Sequence, residues 1–153
     1  LSQKLKNEIV MLIENEIMPM AIHQYKLGTM KLRLQEAFFV KYSTDEEGQR
    51  GLSQHRDASL ISFNISLSSV NNYKGGGTKF SLIDQPFKLQ QGCCLLHCSK
   101  LRHSGSAISD GERIIFVGFL TPVKRMEYVT VAERTTDKSY ICALRERIKR
   151  LFF

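Results

Sequence analysis

The sequence predicts a mainly β fold, an antiparallel sandwich or barrel, with a helix packed on one outer face. Between about residues 30 and 122 the chain consists of short runs with alternating apolar side chains. Turn residues such as glycine, asparagine and aspartate separate these runs, which is typical of sandwiches and barrels. A chain of 153 residues with 42% hydrophobic side chains is long enough for one domain with a core, residues 1–153.

Residues 1–22 are predicted to form a helix. One apolar face repeats at helical spacing and is formed by Leu5, Ile9, Leu12, Ile13 and Ile17. Pro19 lacks a backbone N–H, so we expect it to end or kink this helix.

The predicted barrel core, about residues 30–122, begins with an aromatic-rich strand at residues 31–43 and a polar loop at 43–51. A strand at 52–68 follows, then a glycine-rich turn at 71–77 and short strands at 78–83 and 87–90. Residues 92–99 are predicted to be a buried strand. A polar strand at 103–109 would turn tightly at Asp110-Gly111 and return as the apolar run 113–123.

The net charge of +7 is concentrated near the C-terminal end. Residues 121–153 contain eight Lys and Arg against four Asp and Glu, whereas residues 1–50 contain seven of each. Apolar residues return to helical spacing there, which predicts a basic helix at about residues 138–153. Such a helix is either a solvated face or a contact for an acidic partner, phosphates or a membrane surface.

Neither the cysteines nor the N-terminal residues of this sequence indicate the cellular compartment of the protein. Four cysteines, three of them within residues 93–98, are too few and too clustered for a disulfide framework, which favours thiols. No stretch approaches the roughly 20 apolar residues of a membrane span. The chain has no initiator Met and no signal-peptide pattern, so we expect it to be an excerpt of a longer protein. The endoplasmic reticulum, the cytoplasm and the nucleus all fit.

His55 and Asp57 stand two residues apart at the start of the predicted strand 52–68. Alternate side chains of a strand share one face, so the two can converge on one atom. Two histidines and one carboxylate form the facial triad of non-haem Fe(II) oxygenases. Because such a pair also arises by chance, a metal site requires a second histidine from elsewhere.

Three other histidines are candidates for that ligand. His23 follows the N-terminal helix and is expected to be an exposed polar residue. His97 lies in the apolar, cysteine-containing strand 92–99, where core packing is favoured over a Cys/His zinc site because the spacing is not of the C-x2-C type. His103 begins a polar strand and is the preferred partner of His55 and Asp57.

Arg113 adds a possible anion site. A tight turn at 110–111 would pair Arg113 with Ile108, up to roughly 17 Å along the sheet from His103. A five-carbon diacid and the long arginine side chain can bridge much of that distance. The guanidinium group is always charged and binds a carboxylate through two parallel hydrogen bonds. The alternative is a surface ion pair of Arg113 with Glu112 or Asp110.

Taken together, these motifs resemble the Fe(II)/2-oxoglutarate-dependent dioxygenases, and among them the catalytic domains of prolyl 4-hydroxylases and lysyl hydroxylases. The resemblance covers about residues 37–122, including "LSQHRDASLISFNISLS" and "GCCLLHCSKLRHSGSAISDGER". It comprises an HxD pair, a second histidine after a G-x-x-L-L-H strand, and a basic residue ten positions beyond that histidine. The resemblance implies a double-stranded β-helix, a jelly-roll-like antiparallel barrel with flanking helices.

The resemblance also implies roles for individual residues. The iron ligands would be His55, Asp57 and His103, and Arg113 would bind the distal carboxylate of 2-oxoglutarate. Collagen-type prolyl 4-hydroxylases usually have lysine at the position of Arg113, whereas arginine is closer to the lysyl hydroxylase and oxygen-sensing prolyl hydroxylase pattern.

Tyr42 and Asn64 match positions that line the co-substrate pocket in lysyl hydroxylase-like members. Asn64 is seven residues beyond Asp57, so an ideal strand would place it on the opposite face. A bend or bulge is needed to bring it to the pocket.

The implied activity is hydroxylation of a C–H bond with Fe(II), 2-oxoglutarate and O2, releasing succinate and CO2, with ascorbate as reductant. A peptidyl proline or lysine is the expected substrate, so a polypeptide is the expected partner. A nucleic-acid substrate is disfavoured because Ile115, Val117 and Phe119 follow Arg113 where related demethylases resemble RxNxTxR. A small-molecule substrate and a catalytically silent barrel used as a binding module are the remaining alternatives.

Overall fold

The computed structural model describes residues 1–123, and the predicted basic helix at 138–153 lies outside the described residues. Two helices and a π-helical turn come first, α1 (Gln3–Leu12), the turn (Ile13–Ile17) and α2 (Met18–Gln24). Eight strands follow: β1 (Leu32–Ser43), β2 (Leu52–His55), β3 (Ile61–Ser66), β4 (Tyr73–Gly75), β5 (Thr78–Phe80), β6 (Cys94–Cys98), β7 (His103–Gly105) and β8 (Ile108–Pro122). A short 3-10 turn (Val70–Asn72) precedes β4.

The N-terminal helical segment continues through Pro19 to residue 24, two residues beyond the predicted end. Ser2 caps its start, since the Ser2 hydroxyl accepts a hydrogen bond from the Leu5 N–H at 3.2 Å. Ahead of Pro19 the Met18 N–H donates to the Ile13 carbonyl, five residues back. This π turn shifts the hydrogen-bond register where proline cannot donate, and the chain therefore stays helical.

The strands form two antiparallel sheets. The larger has the order β1-β8-β3-β6, with β4 paired to the start of β8, and the smaller has the order β2-β7-β5. One face of the larger sheet packs against the helices in a buried apolar cluster that includes Ile13, Ile17, Ile61, Phe63, Ile65 and Leu120. Alternation then directs Ser62, Asn64 and Ser66 to the other face, toward the smaller sheet.

Several predicted segments differ from the structure, and the predicted turn at 71–77 contains the short strand β4 (Tyr73–Gly75). Residues 52–68 are not one strand, because β2 and β3 belong to different sheets and residues 56–60 connect them. Residues 87–90 form only a single bridge, between Phe87 and Thr78.

The predicted tight turn at Asp110-Gly111 is wrong, because β8 runs without reversal from Ile108 to Pro122. Gly111 has a φ of +80°, and a Cβ there would collide with the carbonyl oxygen of Asn72. The glycine lets the chain bend while Tyr73 pairs with Gly111 and Ser43 pairs with Glu112. The dipeptide therefore marks a change of partner strand, not a hairpin.

Candidate metal centre

The two histidines predicted as ligands are cross-strand neighbours in the smaller sheet. His55 ends β2, His103 begins β7, and the two residues pair directly. Their rings lie 4.4 Å apart between centroids. Asp57 stands in the loop after β2, where its N–H donates to the Ser99 carbonyl at 2.9 Å. This turn of the chain, not strand alternation, brings the carboxylate between the histidines.

The geometry of these three side chains suits a cation. His55 Nε2 lies 3.4 Å from one Asp57 carboxylate oxygen, and His103 Nε2 lies 3.6 Å from the other. Both distances are longer than a hydrogen bond. One ligand atom from each residue can be chosen so that all lie within 4.8 Å of one another. Asp57 and His103 are buried, at 9% and 7% exposure.

Backbone carbonyls orient both imidazoles. His55 Nδ1 lies 2.8 Å from the Ser53 carbonyl, and His103 Nδ1 lies 2.9 Å from the Leu101 carbonyl. A carbonyl can only accept, so each Nδ1 carries a proton, and in the neutral imidazole each Nε2 then presents a lone pair. In that form, two imidazole lone pairs and a carboxylate face one point. A first-row divalent metal fits that donor set.

Arg113 is almost fully buried, at 2% exposure. It pairs with Tyr42 across β1 and β8, and its guanidinium carbon lies 5.2 Å from the centre of the Tyr42 ring. Its Nη1 atom has no hydrogen-bond partner. The alternative of an ion pair with Glu112 or Asp110 is wrong, because Lys41 pairs with Glu112 and Lys74 pairs with Asp110. A buried, incompletely bonded guanidinium favours an anion.

Tyr42 connects Arg113 to the histidine sheet. A Cβ added to Gly105 would lie 2.6 Å from the Tyr42 hydroxyl, so that hydroxyl sits against β7 two residues from His103. Burial raises the pKa of the Tyr42 phenol, although the nearby Arg113 opposes the rise. The phenol therefore remains protonated and can donate a hydrogen bond.

Asn64 lines the same cavity as Tyr42, His55, Asp57 and His103. The predicted bend before Asn64 is the connection at residues 56–60 between β2 and β3. Because this connection interrupts the strand, alternation cannot be counted from Asp57 to Asn64. Asn64 Oδ1 is buried and has no hydrogen-bond partner. All six predicted site residues thus lie in or directly beside one interior region between the two sheets.

Sequence reasoning missed several residues around this region. Tyr73 packs with Tyr42 and Ile108, and its buried hydroxyl has no hydrogen-bond partner. Ser62 donates to the Asp57 carboxylate at 2.5 Å. Ser62 could have been found from the sequence, because on a strand it shares one face with Asn64 while Phe63 points to the opposite face. No local pattern marks Tyr73, because strand pairing creates its environment.

His97 is buried beside the cluster but is not part of it. Its ring centroid lies 4.5 Å from that of His103 and 5.2 Å from that of Phe80. Its Nδ1 lies 3.2 Å from the Cys98 carbonyl. Among residues 1–123, the cluster with metal-binding geometry comprises His55, Asp57 and His103 alone.

Burial of His97 predicts a loss of stability in mild acid. Burial lowers the pKa of His97 from 6.5 to about 4, so between these values the unfolded chain binds a proton that the folded chain excludes. The free energy of unfolding therefore falls as the pH falls from 6.5 toward 4. Urea denaturation of the metal-free chain across this range should show a shallower pH dependence in H97L.

The matched control for that experiment is H23L, which removes an exposed histidine and leaves His97 in place. This control should retain the acid sensitivity of the unmodified chain. Identical pH dependence in the unmodified chain and H97L would contradict the interpretation.

Comparisons with known proteins bear on the fold and on the family resemblance. No protein-family model matches the chain. Procollagen-lysine,2-oxoglutarate 5-dioxygenase 2 of Homo sapiens is 39% identical over 92 residues, which are 56% of this chain and 12% of that protein. Procollagen-lysine,2-oxoglutarate 5-dioxygenase 1 of Mus musculus is 34% identical over 110 residues, 69% of this chain and 15% of that protein. The chain thus spans less than a sixth of these relatives.

Two solved structures share the fold. A 2OG-Fe(II) oxygenase family oxidoreductase from Burkholderia pseudomallei matches 61% of this chain and 47% of its own, with 18% identity and a TM-score of 0.52. A viral collagen prolyl hydroxylase from Paramecium Bursaria Chlorella virus-1, a truncated form, matches 71% of this chain and 64% of its own, with 16% identity and a TM-score of 0.50.

These matches confirm two predictions. The structural matches confirm the double-stranded β-helix, and the sequence matches confirm the resemblance to lysyl hydroxylase-type 2-oxoglutarate dioxygenases. Within residues 1–123 no helix has the length and apolar character to span a membrane.

Proposed function

We propose that this chain is a catalytic domain that uses Fe(II), 2-oxoglutarate and O2 to hydroxylate a C–H bond of a polypeptide, at a proline or lysine side chain. One observation carries the proposal: the interior between the two sheets holds a group of metal-ligating atoms that suits a cation and, beside it, a buried guanidinium that favours an anion. Three lone-pair donors converge where a cation fits. The buried Arg113, on β8 of the larger sheet, lies beside Tyr42, which lines the same cavity, and its Nη1 is unbonded. A dicarboxylate that chelates a metal at one end satisfies both.

The metal ligands would be His55, Asp57 and His103. These three residues would hold the metal and leave coordination positions for co-substrate and oxygen. Their rigid supports are the Ser53 and Leu101 carbonyls, which hold both imidazoles in one tautomer. Bound Fe(II), with 2-oxoglutarate and O2, supplies the oxidising power that cleaves the C–H bond and yields succinate and CO2.

Arg113 would hold the distal carboxylate of 2-oxoglutarate. The Tyr42 phenol, still protonated, would donate a second hydrogen bond, and Tyr73 is placed to add a third through its unbonded hydroxyl. Asn64, with an unbonded Oδ1 in the cavity, would contact the co-substrate or a bound water. These groups orient the co-substrate and do not themselves react.

The apolar walls of the cavity would exclude water from the reacting atoms. Phe38 and Phe119 pack edge to face, with ring centroids 5.7 Å apart, and Val117 lies on the same wall. Exclusion of water strengthens the hydrogen bonds of Arg113 and protects the reactive metal from side reactions. Phe38 and Leu52 remain partly exposed, at 38% and 39%, and offer an apolar rim to an incoming side chain.

A polypeptide substrate is supported by the names of the relatives, which include procollagen-lysine dioxygenases and a viral collagen prolyl hydroxylase. The alternative functions would be the same chemistry on a nucleic acid or a small molecule, or binding by a barrel without catalytic activity. We also propose ascorbate as the reductant and an acidic partner for the basic C-terminal residues.

The proposal is tested by measuring succinate formation with Fe(II), 2-oxoglutarate and ascorbate against a panel of proline- and lysine-containing peptides. We expect turnover that depends on the peptide and a mass gain of one oxygen atom on it. A matched panel with alanine at every proline and lysine is the control. Two results would contradict the polypeptide assignment. One is turnover that occurs only with free amino acids or nucleic acid, and the other is a failure of every peptide in both panels to support turnover.

A further inference from the structure

Three buried serines lie in a row behind the Asp57 carboxylate. Ser59, Ser62 and Ser99 are 5%, 1% and 0% exposed. The Ser59 and Ser99 hydroxyl oxygens are 2.6 Å apart, the Ser99 and Ser62 hydroxyl oxygens are 2.8 Å apart, and Ser62 Oγ lies 2.5 Å from Asp57 Oδ2. We call these three residues the serine chain.

The direction of each hydrogen bond in the serine chain follows from the Asp57 carboxylate at its end. The Asp57 carboxylate only accepts, so Ser62 must donate its single proton to Oδ2. Ser62 can then only accept from Ser99, and Ser99 in turn can only accept from Ser59. The Ser62 and Ser99 protons therefore point toward the carboxylate, and Ser59, whose hydroxyl also lies 3.3 Å from the Ile61 carbonyl, donates to Ser99 at 2.6 Å. Each hydrogen bond along the row polarises the next.

The serine chain also ties the Asp57 loop to the larger sheet. Ser62 lies on β3, where it pairs with His97, and Ser99 directly follows β6. The loop itself is held by the hydrogen bond from the Asp57 N–H to the Ser99 carbonyl and by Lys100 Nζ, 3.2 Å from the Asp57 carbonyl. The carboxylate is thus fixed from a rigid sheet, although Asp57 is in a loop.

We propose that the serine chain positions Asp57 as a metal ligand, with Ser62 holding Oδ2 so that Oδ1 is presented to the ion. This inference rests on the proposed function, since it takes His55, Asp57 and His103 to be the metal ligands. A carboxylate held at one oxygen cannot rotate freely, so it binds the metal with less loss of freedom. Ser62 is therefore a positioning residue that acts through Asp57.

The test compares Co²⁺ binding by the unmodified chain, S62A, S62C and S66A, using calorimetric titration and the visible d–d spectrum of bound Co²⁺. Ser66 is the matched control, because it lies on β3, is 1% exposed and its hydroxyl donates to the Ser68 carbonyl, away from Asp57. S62C leaves no cavity, since its side chain is slightly larger than that of serine, but offers only a weak donor. Circular dichroism establishes folding of each variant.

We expect S62A and S62C to bind Co²⁺ about 10- to 100-fold more weakly, with an altered d–d spectrum, and S66A to match the unmodified chain. If S62A does not fold, S62C against S66A decides the question. Equal affinities of S62A or S62C and S66A would overturn the inference while leaving the proposed function intact. An unmodified chain that binds no Co²⁺ would overturn both.

Discussion

Replacing Asp57 by alanine (D57A) is expected to abolish both metal binding and 2-oxoglutarate turnover. Asp57 supplies the only anionic donor of the His55, Asp57 and His103 cluster, and it lies within 3.6 Å of both Nε2 atoms. Loss of a directly bound ligand should exceed the effect of losing an outer partner, so we expect metal affinity to fall by about 100-fold or more. Calorimetric titration with Fe(II) under anaerobic conditions, followed by succinate measurement, checks both effects.

The matched control is D84A, which removes an exposed aspartate outside the cluster. D84A should bind metal and turn over 2-oxoglutarate like the unmodified chain. D57A leaves the Ser62 hydroxyl without its acceptor, which costs about 1–3 kcal/mol of stability, so folding of the variant is verified by circular dichroism. Turnover of 2-oxoglutarate retained in folded D57A, or in H55A, would contradict the metal assignment.

Replacing Arg113 by methionine (R113M) is expected to weaken 2-oxoglutarate binding while leaving metal binding unchanged. The guanidinium is buried with Nη1 unbonded, so its charge is best compensated by the co-substrate carboxylate. Truncating one partner of such a buried charged pair costs about 2–5 kcal/mol, which corresponds to about a 30-fold or larger rise in KM for 2-oxoglutarate. Initial rates across 2-oxoglutarate concentrations measure this rise.

R113M should also change stability in a characteristic way. Without co-substrate, the variant should be as stable as the unmodified chain or more stable, because a buried charge without a full set of partners has been removed. When 2-oxoglutarate is added under anaerobic conditions to the metal-loaded proteins, the unmodified chain should gain more thermal stability than R113M at the same 2-oxoglutarate concentration. R102M, which removes an exposed arginine, is the control. An unchanged KM in R113M would contradict the anion site.

The three residues of the candidate metal centre were predictable because each stands in a local pattern. His55 and Asp57 form a short motif, and His103 follows a characteristic apolar strand at a defined distance from Arg113. The apolar stripe of the N-terminal helix likewise predicted which of its faces packs against the larger sheet. Patterns of this kind can be recognised from the sequence alone because they depend only on residues that are close in sequence.

The chain path between His55 and Asn64 was not predictable in the same way. Alternation was counted as if residues 52–68 were one strand, but the chain leaves the smaller sheet after His55 and enters the larger one at Ile61. Strand alternation therefore gave the convergence of His55 and Asp57 for the wrong reason. It also placed Asn64 on the wrong face, because a loop resets the alternation.

Long-range pairing determines the remaining features. The serine chain exists because β3 and β6 pair so that Ser62 faces His97 and Ser99 falls just beyond. The course of β8 through Gly111 depends on Tyr73 being available as a partner. Neither pairing is encoded by a short motif, so a turn dipeptide such as Asp110-Gly111 is ambiguous until the partner strands are known.

Anaerobic titration of the Fe(II)-loaded chain with 2-oxoglutarate tests the central claim most directly, because it requires no knowledge of the substrate. The claim is that one interior holds a metal on His55, Asp57 and His103 and a dicarboxylate on Arg113. We expect a visible charge-transfer absorption that saturates at one 2-oxoglutarate per chain, is absent in D57A and requires much higher 2-oxoglutarate in R113M. An unmodified chain that binds Fe(II) but gives no such absorption, or an unchanged titration in D57A, would contradict it.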